Sequence, residues 1–339
     1  MTRMRASYLT RRRLLATVVA LLAALLVSIA ATSLVGPVHA SLRRALGPGG
    51  PSTPDYVIIV RTRLPRVLLG AVVGGSLSAA GAALQALLQN PLAEPHLLGV
   101  SSGAAVAGMV ALIAGADPVS PLVPAAAFAG ALGTMALVYL AARAHGRTTP
   151  HAILLVGVVC NAIAAAAIML VNAIASYAQA RGVLFWIMGA LSTQSYALVA
   201  LVAVYALAGL GWLVAHAQSL NLFAAGDEGA QQLGVDVEGA RRSVFVAASL
   251  LVAAAVSVSG MIGFVGLIVP HLLRLVLGPD QRLLLPASFL GGAVFLVWAD
   301  AAARTALGPA ELPVGVVTAL VGGPFFVFLL CRRLARTLP

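Results

Sequence analysis

Lysine is absent from this 339-residue chain, whose 21 basic residues are all arginine. A P-loop needs a lysine to reach the β- and γ-phosphates of a nucleotide. No Walker A site is therefore present, and any ATP must be handled by a separate polypeptide. Acidic residues number only ten, and charged residues make up 9% of the chain. Soluble domains, which need a wetted surface, carry roughly 25%. The two cysteines, Cys160 and Cys331, lie in or beside apolar segments without metal-ligand spacing, so they read as packing residues rather than redox groups. The histidines, His271 included, show no paired spacing for metal or haem ligation. Neither a metal, a cofactor nor a catalytic constellation is expected, which argues against an intramembrane enzyme.

What fills the chain is apolar: hydrophobic residues make up 61%. A helix crosses the roughly 30 Å hydrocarbon layer in about 20 residues, so ten crossings take about 200 residues and leave short connections. The net charge of +11 does not point to nucleic acid. The arginines sit in short clusters between apolar runs (Arg11 to Arg13, Arg143 and Arg147, Arg241 and Arg242, Arg332 and Arg333), as orienting charges do at cytoplasmic helix ends.

The first apolar run, Leu14 to Val35, follows a basic cluster and precedes Val38-His39-Ala40, a loose imitation of a cleavage site. Its length favours an uncleaved first span with the N-terminus inside. Further runs cover 65–88, 96–115, 121–142, 152–175, 196–216, 243–260, 262–277, 284–306 and 313–331, the eighth being short. Ten spans return the C-terminus to the cytoplasm. They leave fourteen arginines inside and seven outside (Arg43, Arg44, Arg61, Arg63, Arg66, Arg181 and Arg304). Nine spans would weaken that bias. The expected fold is an all-α integral membrane protein of about ten transmembrane helices, with 1–339 forming one transmembrane domain in membrane lipid. Glycine and alanine are abundant in the runs, where small residues let backbones approach closely.

Two segments interrupt the pattern. Gln89 to Pro95 is a proline-bounded turn, forced out of helix by its prolines. The segment 218–242 is the longest polar stretch between spans. Within it, Gly226 to Leu233 reads as a short amphipathic helix stopped at Gly234, with Asp227 and Glu228 in the dipole-favoured first turn. A second polar turn is expected near Asp236 to Arg242. Inside the ninth run, Asp300 is costly in lipid and is expected to pair with Arg304 one turn on.

Arg63-Leu-Pro-Arg66, Gln85, Asn90-Pro-Leu-Ala-Glu-Pro95 and Leu98-Gly-Val-Ser-Ser-Gly-Ala104 form one set of motifs. Gly263-Phe-Val-Gly-Leu-Ile-Val-Pro-His271, Arg274, Glu311-Leu-Pro-Val-Gly-Val-Val-Thr-Ala319 and Gly323-Pro324 form a second. In this order and spacing they resemble the FecCD-type permeases, membrane subunits of ABC importers for iron-siderophores, haem and vitamin B12. The resemblance implies a type II ABC importer permease fold in the bacterial inner membrane. The implied partners are a second copy of the chain, two cytoplasmic ABC ATPase subunits and a periplasmic substrate-binding protein. It implies that 218–242 carries the coupling helices, with Gly226, Asp227, Glu228, Ala230, Leu233 and Gly234 at their core; the alternative is a solvated loop. It further implies outward-facing Arg63, Arg66 and Arg304 that dock acidic groups of the binding protein, the alternative being headgroup anchoring. It also implies a cytoplasmic gate at Asn90 and Leu92, facing the start of the fifth span at Pro150 and His151. Thr149-Pro150-His151 departs there from the small hydroxyl residues usual in the family. The fifth, eighth and tenth spans would line an alternating-access route for an iron complex, haem or cobalamin. The competing reading, an ion-coupled secondary transporter, has Asp300 as its one intramembrane candidate.

Overall fold

A computed structural model describes residues 9–117, 120–143, 148–176, 184, 186–192, 194–308 and 310–334; at 329, 330 and 332–334 it describes the backbone alone. Arg3, Arg5, Arg147, Arg181 and Arg336 lie outside these residues, and with them part of the expected charge bias. Among the described residues, ten helices account for the ten apolar runs: α1 (Arg11–Leu34), α2 (Leu64–Leu87), α3 (Val100–Ile113), α4 (Leu122–Ala142), α5 (Pro150–Ile174), α6 (Tyr196–Ala215), α7 (Val237–Ser259), α8 (Val265–Leu277), α9 (Gln281–Thr305) and α10 (Val314–Leu334). Polar side chains set several starts by accepting main-chain N–H groups: Thr149 from Ala152 at 3.2 Å, Ser195 from Leu198 at 3.2 Å and Asp236 from Gly239 at 3.1 Å. Pro150 follows its cap at the position that needs no donor.

The helix α2 is the axis of the bundle. It is almost wholly buried and packs against α9, α7, α8, α6 and α1. Hydrophobicity cannot select one neighbour over another in lipid, so backbone proximity does. Gly74 faces the main chain of Gly292 on α9, and Gly81 faces that of Gly266 on α8; a Cβ at either would strike backbone atoms. Around this centre α1, α4, α5 and α6 turn most of their apolar surface outward.

Three boundaries differ from the sequence reading. The second helix begins upstream of residue 65, through a turn at Pro54–Tyr56 and a π-helical stretch, Val57–Arg63, that runs directly into α2. The third span is as short as the eighth. Pro95–Leu98 is a 3-10 turn ended by Gly99 at φ 78°, so α3 keeps 14 residues and a length of about 21 Å. The second polar turn expected near Asp236 to Arg242 is instead the opening of α7. Asp236 caps that helix, and a capped start next to helix-tolerant residues leaves nothing to stop it.

The ends of the helices form two rims. The α1 start meets the α8 end where an Arg13 guanidinium donates to the Leu277 carbonyl at 2.9 Å, and the α4 end reaches Glu238 through Tyr139 at 3.3 Å. The α1 end meets Arg63 and Arg304 at the opposite rim. Replacing Gly292 with Val should separate α2 from α9 and lower the thermal midpoint in detergent, at a cost of about 1–3 kcal/mol. Gly133→Val, where a Cβ meets nothing within 4 Å, should leave the midpoint in place.

Candidate functional site

At the rim where α1 ends, five charged residues converge. Arg66 donates to the buried Asp300 carboxylate at 3.0 and 3.1 Å and to Glu311 at 2.6 Å. Asp300 pairs also with Arg304 at 2.9 Å, the expected i,i+4 contact, as an ion pair outside hydrogen-bond geometry. Arg304 spends its terminal nitrogens on the carbonyls of Val35 (3.0 Å) and Thr32 (3.2 Å). Arg63 does the same for Leu34 at 3.0 Å and for Val38. Both arginines thus cap the end of α1, where unsatisfied carbonyls and the helix dipole favour a cation. This corrects the expected orientation of two residues. Arg63 and Arg304 are 5% and 2% exposed and face inward, because carbonyls that end a helix inside protein have a stronger claim on a guanidinium than solvent has. Glu311 is exposed at the surface, and Arg66, 13% exposed, lies just beneath it between the two carboxylates.

The proline-bounded turn after α2 is held from three sides. Asn90 is half-buried, and its side-chain oxygen accepts the Leu92 N–H at 2.9 Å, closing a tight local turn. Leu92 is exposed, while Pro91 lines a small apolar cleft with Leu267, Ile268 and His271 of α8 and Phe325 and Phe326 of α10. Glu94 accepts the N–H of Phe264, a non-glycine residue at φ 69° in the break between α7 and α8. Nearby, Gln85 donates to the Gly266 carbonyl at 3.1 Å and accepts from Arg274 at 3.1 Å. The bonds that join the turn to α5 come from Asn161, which donates to the His96 carbonyl at 2.9 Å and accepts from Ser102. Pro150 and His151 lie at the α5 start, with His151 exposed to the rim. The α8–α10 cleft, not this pair, lies against Pro91.

The polar segment between α6 and α7 folds as an elbow: Ala217–Leu222, a 3-10 turn Phe223–Ala225, then the helix Gly226–Gln232. Gly226 and Gly234 bound that helix at φ 83° and 85°, conformations that other L residues adopt only under strain. Ala230 is buried beneath it, whereas Leu233 is 62% exposed. Asp227 pairs with the buried Arg241 at 2.6 Å. On its other side, Asn221 donates to Asp280 at 2.9 Å and accepts the Gln281 N–H at 2.8 Å, tying the elbow to the start of α9. Hydrogen bonds from Arg282, and a further one from Asn221, hold the Asp280 carboxyl below the usual carboxylate range despite partial burial.

Sequence reasoning took Arg241 for an orienting charge, met Phe264, Glu94 and Glu311 only as members of motifs, and gave no role to Glu238 or Asn161. Asn161 carried a usable signal, being an amide in the middle of an apolar run. For Phe264 and Arg241 nothing local marks the role, since their partners are distant in sequence.

Among the described residues, ten apolar helices with a polar elbow on one rim and a charge cluster on the other have the architecture of a polytopic membrane protein. The chain belongs to the FecCD transport family, which matches residues 15–332. The cobalamin import system permease protein BtuC of Halobacterium salinarum is 46% identical over 292 residues, 86% of this chain and 77% of that one. The hemin transport system permease protein HmuU of Yersinia pestis is 42% identical over 293 residues, 83% and 86% of the two chains. A metal-chelate type ABC transporter solved in an inward-facing conformation superposes with a TM-score of 0.82 at 29% identity, covering 94% of this chain and 99% of that one. The chain is accordingly a permease subunit of the ABC importer kind.

Two outcomes are expected. Asp300→Asn strands Arg66 and Arg304 without their shared carboxylate and should cost about 3–5 kcal/mol, the range for breaking a buried pair, read as a loss of thermal midpoint larger than that of Glu311→Gln. The Asp280 carboxyl is depressed in the folded chain, so its stabilisation is present above the unfolded value of about 3.9 and is lost as pH falls through the folded value. Asp280→Asn should therefore unfold at lower temperature than the parent at neutral pH, and the gap should close as the pH is taken below about 4.

Proposed function

We propose that two copies of this chain form the membrane path of an importer powered by two separate ABC ATPases and loaded by a periplasmic binding protein. The cargo is a bulky metal chelate: an iron complex such as an iron-siderophore, haem, or cobalamin. The observation that carries this reading is the elbow. It is a glycine-bounded helix standing outside the bundle, with Glu228, Gln231 and Gln232 exposed on it and one exposed apolar anchor, Leu233, at its end. A chain that lacks a nucleotide lysine needs such a surface to receive work; Gly226, Asp227, Glu228, Leu233 and Gly234 are the residues we assign to it, with Ala230 buried beneath them as the seat of the helix. Its rim, with the arginines at the starts of α1 and α9, faces the cytoplasm of the inner membrane, as the arginine bias supports.

The opposite rim receives the binding protein. Arg66 makes the contact, because its guanidinium already grips one exposed carboxylate, Glu311, and a partner carboxylate can take that place. Arg63 and Arg304 hold the platform by fixing the α1 end. Access alternates when elbow movement tilts the helices and frees the turn at Asn90 and Leu92 from the α8–α10 cleft, with Pro150 and His151 on the moving α5.

The deciding experiment is uptake into proteoliposomes that hold the chain with its cognate ATPase and binding protein, comparing iron-siderophore, haem and cobalamin. ATP-dependent accumulation of one of them is expected. Accumulation driven by a pH gradient with this chain alone would overturn the reading in favour of an ion-coupled carrier. For docking, Arg66→Glu should slow association of the binding protein about tenfold at low salt, with the deficit shrinking as ionic strength rises; surface-immobilised permease and stopped salt steps measure both.

A further inference from the structure

Arg241 lies in the second turn of α7 and is 3% exposed, on the rim of a chain where other arginines reach solvent. Its two terminal nitrogens go to different parts of the molecule. One donates to Asp227 of the elbow helix at 2.6 Å, and the other donates to the main-chain carbonyl of Thr148. The guanidinium lies 6.0 Å from the ring centroid of Phe223, in the 3-10 turn that leads into the elbow helix. Thr148 is itself 1% exposed and gives its hydroxyl to Glu238 at 2.7 Å, one turn before Arg241 on the same helix. Directly after it come the α5 cap, Thr149, and the first helical residue, Pro150.

The geometry points to Arg241 as a positioning residue that carries displacement of the elbow to the start of α5. This deepens the importer reading and rests on it. A guanidinium is a rigid planar fork, so its two arms cannot move independently as the single ammonium of a lysine can. A shift of Asp227 is therefore passed to the Thr148 carbonyl with little slack, and capping at Thr149 passes it on to α5. From α5 the bonds continue: Asn161 holds the His96 carbonyl, and His96 follows the Asn90–Glu94 turn. The path from the elbow to that turn is thus a run of named hydrogen bonds. Burial gives the first link its stiffness, because no water replaces Asp227 when the guanidinium is drawn away from it; the other carboxylate near the guanidinium, Glu238 at 3.9 Å, lies on α7 itself.

The test uses the complete assembly in proteoliposomes, with an iron-siderophore, haem and cobalamin as probes, and reads uptake per ATP hydrolysed together with co-elution of the ATPase. Arg241→Lys keeps the charge but cannot hold both partners. It should retain the ATPase while uptake per ATP falls about tenfold, within the span of coupling effects seen for residues that link sites. Asp227→Asn, at a half-exposed position, should move the ratio in the same direction, and it decides the matter if Arg241→Lys does not fold. Uptake and hydrolysis that fall in proportion would overturn the proposal, since Arg241 would then only hold the elbow for binding. So would a ratio equal to that of the unaltered chain. Failure of the unaltered chain to retain an ATPase or to take up any of the three probes would overturn the importer reading itself, and this inference with it.

Discussion

In hydrocarbon, any stretch of backbone that leaves a helix must find its hydrogen-bond partners within the protein. That constraint organises the large polar side chains at the helix breaks. Arg63 and Arg304 serve the carbonyls that end α1, Gln85 serves Gly266 at the α8 start, and Glu94 serves Phe264 in the break before it. Asn161 serves His96 before α3, and Arg241 serves Thr148 before α5. Each is bonded to main chain where a helix stops or starts. The charges at these positions are there neither for water nor for chemistry; they let helices end inside a medium that would otherwise forbid it.

The same constraint explains why α3 and α8 can be short. A helix of 13 or 14 residues covers only about 20 Å and cannot cross about 30 Å of hydrocarbon unaided. Each begins at a broken, side-chain-satisfied backbone within the bundle, and the two breaks meet through Glu94 and Phe264. A junction of two non-helical segments, both packed against the axial helix α2, is where a bundle can rearrange without unwinding a full span.

Much of this was legible from residue order alone. Apolar runs of the right length located all ten helices, and the glycines at 226 and 234 bracketed the elbow helix to within a residue. The pairing of Asp300 with Arg304 followed from helical spacing. What escaped were facts set by partners far away in the chain. Arg63 looked outward because nothing in its neighbourhood announces carbonyls 25 and 29 residues upstream. The polar stretch at 236–242 looked like a turn because Arg241 reads as solvated until Asp227 and Thr148 are seen around it. The tetrapeptide Pro-His-Leu-Leu occurs at both 95–98 and 270–273. It stood unremarked, although it marks the broken start of α3 and lies inside α8, the two short helices.

The elbow is tied on both sides, and the ties differ in what they hold. Asn221 binds it to the start of α9, which is locked to α2 by glycine contacts that leave no room for sliding. Asp227, through Arg241, binds it to the start of α5, a peripheral helix with most of its surface outside the bundle. A force applied to the exposed Leu233 therefore meets a stiff anchor on one side and a compliant helix on the other. In the coupling we propose, the compliant side is the one that moves: displacement is directed towards α5, and through Asn161 towards the turn that follows α2, because the packing of α2 on α9 removes the alternative.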